Sequence, residues 1–165
     1  MGVQRTYAPE VSDMKSKLLS KLKENLRLSV SEFDESLRDY IDSAIEVAER
    51  ETGCIFLPSE FVITAKSSVD ETGYYPADEV TSLKIDGVEV DSEIAYISGG
   101  RVCVQTDEGK KIEVTFDAGY TILPAPVQQA IILIAGASFR QPVDSVESLP
   151  KASSNLLRHY RRWLR

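Results

Sequence analysis

The chain has 165 residues, 42% of them hydrophobic and 27% charged, the composition of a soluble globular protein long enough to bury a core without disulfides or metal. Its net charge of −7 argues against a protein dedicated to coating nucleic acid, which is basic overall. Cys54 and Cys103 share no CxxC or Cys/His spacing and read as reduced cytosolic thiols, and no run approaches the ~18 apolar residues of a bilayer span.

Residues 1–10 read as extended and loosely held, without the apolar run of a secretory signal. Met1-Gly2 with Thr6 matches the form of a myristoylation signal, but nothing else points to a membrane, and no membrane partner is expected. Ser12 or Asp13 can cap a helix running to about Arg27, with Leu18, Leu19, Leu22 and Leu26 as its apolar stripe and Lys15, Lys17, Lys21 and Lys23 mostly off it. A second helix enters at Ser31 and carries early acids that suit the positive helix end. Phe33, Leu37, Tyr40, Ile41, Ala44, Ile45 and Ala48 recur at spacings of three and four, giving it one buried face, and Gly53 ends it. Its exposed side holds Glu32, Asp34, Glu35, Asp39, Asp42, Glu46, Glu49 and Glu51, a face that repels phosphates and argues against a helix-turn-helix DNA reader.

From Pro58 the texture turns to β. Phe61, Ile63 and Ala65 alternate with polar neighbours, and strands follow over 80–85, 88–90, 94–97, 101–105 and 110–116, with Asp86-Gly87 and Gly99-Gly100 as hairpin signals. Asp70, Glu71, Asp78 and Glu79 cluster, but their spacing fits no calcium loop and suits a solvated turn tip, so no metal is expected. Asp117, Ala118 and Gly119 end the last strand; Pro124 and Pro126 set up a helix over 127–139 that is apolar on nearly every side and therefore buried all round. Gln141-Pro142 breaks the chain, and 143–149 is a polar loop. Pro150 then starts a final helix with Leu156, Leu157, Tyr160 and Leu164 on one face and Arg158, Arg161, Arg162 and Arg165 largely on the others, around Trp163. Arginine with tryptophan marks a protein interface; cations at a helix C-terminus also suit its dipole as a solvated end. His159, the single histidine, has no nucleophile or acid placed beside it by motif. No catalytic residue, cofactor or phosphate loop is visible, and an enzyme is not expected.

The order of these elements resembles the head–tail connector (adaptor, or head-completion) proteins of long-tailed bacteriophages. The most specific stretch is VTFDAGY at 114–120 followed by LPAPVQQAI at 123–131. In that family a strand ending in Ala-Gly-Tyr or a similar turn precedes a Pro-led helix. The helix from Tyr40-Ile41 to Thr52-Gly53 and the closing Tyr160-Arg161-Arg162-Trp163 add supporting matches, so the resemblance covers residues 12–165.

The resemblance implies an α+β, mainly helical fold: one domain with a four-helix core over about 12–57 and 121–165 and a small antiparallel β-sheet inserted over about 58–120. It implies a ring of about twelve subunits between the portal and the tail or a stopper protein, in the virion neck after assembly in the host cytoplasm. Genomic double-stranded DNA would pass through the lumen without specific binding, as an acidic wall favours. Arg158, Arg161, Arg162, Trp163 and Arg165 are then the candidate portal or partner interface, and Glu35, Asp39, Asp42, Glu46 and Glu49 the candidate acidic subunit interface. A tail-completion ring component, or a DNA-binding or packaging subunit using the first helix pair, are the rival readings.

Overall fold

The computed structural model describes residues 2–66, 68, 74–90, 94–106, 109–141 and 149–162. Met1, residues 70–73 of the acidic tip, Asp107, Pro142 with most of the polar loop, and Trp163, Leu164 and Arg165 lie outside the described residues. The chain divides into two compact units: the residues through Pro9 with Cys54–Thr121, and Glu10–Gly53 with Ile122–Arg165.

This corrects the expected mainly helical fold with a four-helix core and a small inserted sheet. Of the described residues 43% are helical and 27% lie in strands, and a five-stranded antiparallel sheet makes the protein a mixed α+β one. The difference arises at the N-terminus, since the six strands expected between Pro58 and Gly119 are all present. Gly2–Tyr7, expected to be loose, forms strand β1, so the sheet draws on chain from both sides of the first two helices.

The sheet unit holds β1 (Gly2–Tyr7), β2 (Ser59–Ala65), β3 (Ala77–Ile85), β4 (Val88–Glu89) and β7 (Ile112–Ala118) in the order β1-β2-β7-β3-β4, all neighbours antiparallel. A separate hairpin pairs β5 (Ala95–Ser98) with β6 (Arg101–Val104). Asp86 and Gly87 take φ of 52° and 83°, and Gly99 and Gly100 take 57° and 76°, the paired positive values of a tight hairpin turn. The central strand is β7, which places Phe116 opposite Phe61 and Val80, and Val114 opposite Ile63 and Leu83. These side chains, apart from the half-buried Val80 that packs against them, form one buried cluster with Ala118, Ile112, Val102 and Val104. Phe61 and Phe116 stack at 5.7 Å between ring centroids, and Tyr74 closes over Phe61 at 4.5 Å. Cys54 and Cys103 are both buried.

Gly119 shows why the strand ends as it does. Its φ is 111°, and a Cβ there would run into the Leu57 carbonyl and lie 3.0 Å from Pro58 Cα. Only glycine permits this approach, which lets Gly119 N–H donate to Pro76 O at 2.8 Å.

The helical unit contains α1 (Val11–Leu26), α2 (Asp34–Thr52), α3 (Ala125–Arg140) and α4 (Lys151–Leu157), followed by a 3₁₀ turn at Arg158–Tyr160. α3 packs against each of the other three helices. Val127, Ala130, Ile131, Ile132, Ile134, Ala135 and Gly136 are all buried, so α3 is enclosed over most of its circumference. Leu37, Ile41, Ala44, Ile45 and Ala48 face inward from α2, and Leu18, Leu19 and Leu22 from α1. Phe139 meets Phe33 and Tyr40 edge to face, with centroids 5.7 and 6.2 Å apart. Left-handed residues close both early helices: Arg27 at φ 56° after α1, and Gly53 at φ 69° after α2.

Candidate functional site

The acidic surface follows from the period of α2. Glu35, Asp39, Asp42, Glu46 and Glu49 recur at alternating spacings of four and three, which puts them in one stripe opposite the buried Leu37–Ala48 face. Glu35, Asp39 and Glu46 are exposed, while Asp42 and Glu49 are half-buried. The stripe is not uniform. Lys15 Nζ on α1 lies 2.9 Å from Asp42 Oδ1, and Lys23 Nζ lies 2.6 Å from Asp34 Oδ1 at the start of α2. The lysines set off the leucine stripe of α1 therefore neutralise one flank of the acidic helix, leaving Glu35, Asp39 and Glu46 as its outward charge.

The basic end differs from its expected form. The last helix was expected to continue to Leu164; α4 ends at Leu157, the 3₁₀ turn ends at Tyr160, and Arg161 adopts extended backbone angles. Arg162 N–H donates to Thr52 O at 2.7 Å, which fixes the chain across the C-terminal end of α2. Gly53 lies beside this crossing, where a Cβ would stand at an ordinary contact distance of 3.7 Å from Arg162 Cβ, so it is the φ of 69° rather than crowding that favours glycine here. Arg161 Nη2 reaches Glu51 Oε2 at 2.7 Å. Arg158, Arg161 and Arg162 are exposed, so the structure gathers them at one end of the helical unit. Trp163 and Arg165, the remaining members of the expected interface, lie outside the described residues.

Beside them, α3 and α4 enclose an open groove of about 690 Å³ lined by Pro126, Gln129, Leu133, Leu156, His159 and Tyr160 among others. Periodicity alone did not show it, because it arises from the splay of two helices distant in sequence. Asp78 and Glu79 of the acidic turn cluster lie in β3 and are exposed. Among the described residues, no group of His, Cys, Asp and Glu could hold a metal ion, and no helix is long and apolar enough to cross a membrane.

No protein-family model matches the chain, and no curated protein matches its sequence. Solved structures do match its fold. One is a chain of the neck of the empty gene transfer agent (GTA) particle computed with C6 symmetry, at a TM-score of 0.77 and 20% identity, covering 99% of this chain and 98% of that one. A chain of the virion of the native GTA particle matches with a TM-score of 0.78 at 20% identity and the same coverage. This protein has the fold of a particle neck chain. A third match, from the neck of the native GTA particle computed with C12 symmetry, has a TM-score of 0.75 at 18% identity, covering 99% of this chain and 98% of that one. The likeness spans both units, sheet as well as helices, and agrees with the resemblance to head–tail connectors seen in the order of the elements.

Proposed function

We propose that this protein is a structural component of a virion neck: copies form a ring that joins the portal of a phage-like head to the tail or to the next head-completion protein, with DNA passing through the lumen. The observation that carries this reading is the fold likeness to GTA neck chains over 99% of this chain and 98% of theirs. The C6 and C12 symmetries of those necks fit a multi-subunit ring. The net charge of −7 fits a channel wall that does not hold phosphates.

Within this reading, the exposed Arg158, Arg161 and Arg162 form part of the portal-facing surface, together with Trp163 and Arg165. The acidic stripe of Glu35, Asp39, Asp42, Glu46 and Glu49 faces the basic C-terminal residues of a neighbouring subunit, an attraction between opposite charges that makes assembly weaken as salt rises. Truncation after Ser154 should abolish portal binding; undiminished binding would remove the C-terminal residues from this role.

The decisive experiment removes the gene from cells that make the particle and images what accumulates. The expected result is filled or empty heads and separate tails, rejoined when the protein is supplied. Joined particles without it would overturn the reading. Tight, salt-sensitive duplex binding in a gel shift would favour a DNA-binding or packaging subunit instead, and density located away from the portal a tail-completion component.

A further inference from the structure

The five-stranded sheet is left open at both ends in a complementary way. β1 forms one edge and β4 the other, and among the described residues neither has a further strand beside it. Natural sheets protect an open edge with proline, charged side chains, a bulge or a very short strand. β4, of two residues, has the last of these, whereas β1 carries a single charge, Arg5, folded back over the Tyr7 and Phe61 rings. Its sequence Gly-Val-Gln-Arg-Thr-Tyr lacks proline and lysine, and it pairs with β2 over six consecutive positions without a shift in register.

Side-chain direction adds a second observation. Directly paired residues of a sheet point to the same face. Val3 pairs with Ile63 and Tyr7 with Ser59, and both partners are buried, so Val3 and Tyr7 lie on the core face; yet they are 43% and 47% exposed. Arg5 between them lays its guanidinium 4.6 Å from the Tyr7 ring centre and donates from Nε to Ser59 Oγ at 3.0 Å, covering part of that face. At the far edge, Val88 pairs with Ile85, and Val90 N–H donates to Leu83 O at 2.9 Å. Val88 and Val90 therefore lie on the core face as well, and they are 68% and 39% exposed. Both edges extend the apolar face of the sheet into solvent.

We propose that these two edges join between copies of this chain, the β1 edge of one subunit adding to the β4 edge of the next. The join rests on the ring reading and gives it a physical contact. It is head to tail, which a closed ring requires, whereas pairing β1 with β1 would give a two-fold dimer and stop. Because every neighbour in the sheet is antiparallel, β1 and β4 run in the same direction. Continuing the sheet therefore pairs them in parallel, as a short ladder limited by the length of β4. Val3 and Tyr7 of one copy then cover Val88 and Val90 of the next.

The test is covalent capture in the full-length chain. Val3→Cys or Tyr7→Cys is combined with Val88→Cys or Val90→Cys, which spans the registers a short parallel ladder can take. Mild oxidation of assembled rings should give a ladder of linked copies, reversed by reductant, from at least one pair, and none from the single variants; Cys54 and Cys103 are buried. Val88→Asp with Val90→Asp, at exposed positions, should keep the monomer's circular dichroism while lowering the ring population at least tenfold. Rings that form normally with these aspartates, without cross-links from any pair, would overturn the edge join and leave the ring reading intact. Dimers from Val3→Cys alone, in the yield of the paired variants, would also overturn it in favour of a two-fold contact. A wild-type chain that stays monomeric both in solution and on tailless heads would sink the ring reading itself.

Discussion

In the helical unit, the residues that build one buried face are close in the chain. Leu37, Ile41, Ala44, Ile45 and Ala48 face inward because of the period of α2, whatever helix stands opposite. In the sheet unit the buried partners are distant. Phe61 meets Phe116 across β2 and β7, and Phe116 meets Val80 across β7 and β3, so the core exists only once the strand order is established. The first unit concentrates its stability in one enclosed helix, the second in the turns and close approaches that fix which strand lies beside which.

The sharpest break of that contrast is a charge in α3. Ile131 is fully buried, and Ile131→Asp places an unpaired carboxylate in a water-free core, a penalty of several kcal/mol on top of the lost burial. With total stabilities of ~5–15 kcal/mol, this variant should not fold. The check is soluble yield and loss of cooperative unfolding by circular dichroism. A soluble, cooperatively folded Ile131→Asp would show that α3 does not hold the helical unit together.

In the sheet unit the matching deletion is milder in kind but still large. Phe116→Ala removes a fully buried ring that stacks on Phe61, and should lower stability by ~3–5 kcal/mol in denaturant titration. Gly119→Ala adds a single methyl group yet should cost about 3 kcal/mol, because the residue sits at φ 111° with the Leu57 backbone against it. Gly87→Ala is the control. Gly87 also has positive φ, at 83°, but faces open space, so its cost should stay near 1 kcal/mol. Equal effects at the two glycines would mean that the approach to Leu57 contributes nothing beyond backbone strain.

The same contrast decides what the sequence could reveal. α2 and α3 were legible because their apolar periods and Pro or Gly punctuation are local. The Asp86-Gly87 and Gly99-Gly100 turns were legible because positive φ selects those residues. β1 was not, since an edge strand exposed on most positions shows no alternation for a pattern to catch. The strand order was not, because nothing in residues 112–118 states that they lie between β2 and β3. In the candidate site, the acidic stripe could be read from spacing, but its partial neutralisation by Lys15 at Asp42 depends on how α1 and α2 meet. The early end of the last helix could not be read at all, because Leu156, Leu157, Tyr160 and Leu164 keep a helical period through a segment whose backbone turns away to bond Thr52.

That crossing sets the smallest expected effect. Arg161 and Glu51 pair at 2.7 Å with side chains 39% and 35% exposed, so solvent screens much of their attraction. Arg161→Ala should lower stability by less than ~1 kcal/mol, and a double-mutant cycle with Glu51→Ala should return a coupling of the same small size. The Arg162 N–H bond to Thr52 O survives both changes, because it uses backbone atoms only. A coupling above ~2 kcal/mol would mean that the ion pair, rather than the backbone bond, fixes the C-terminal residues on α2. The hold of these residues on α2 would then weaken as ionic strength rises.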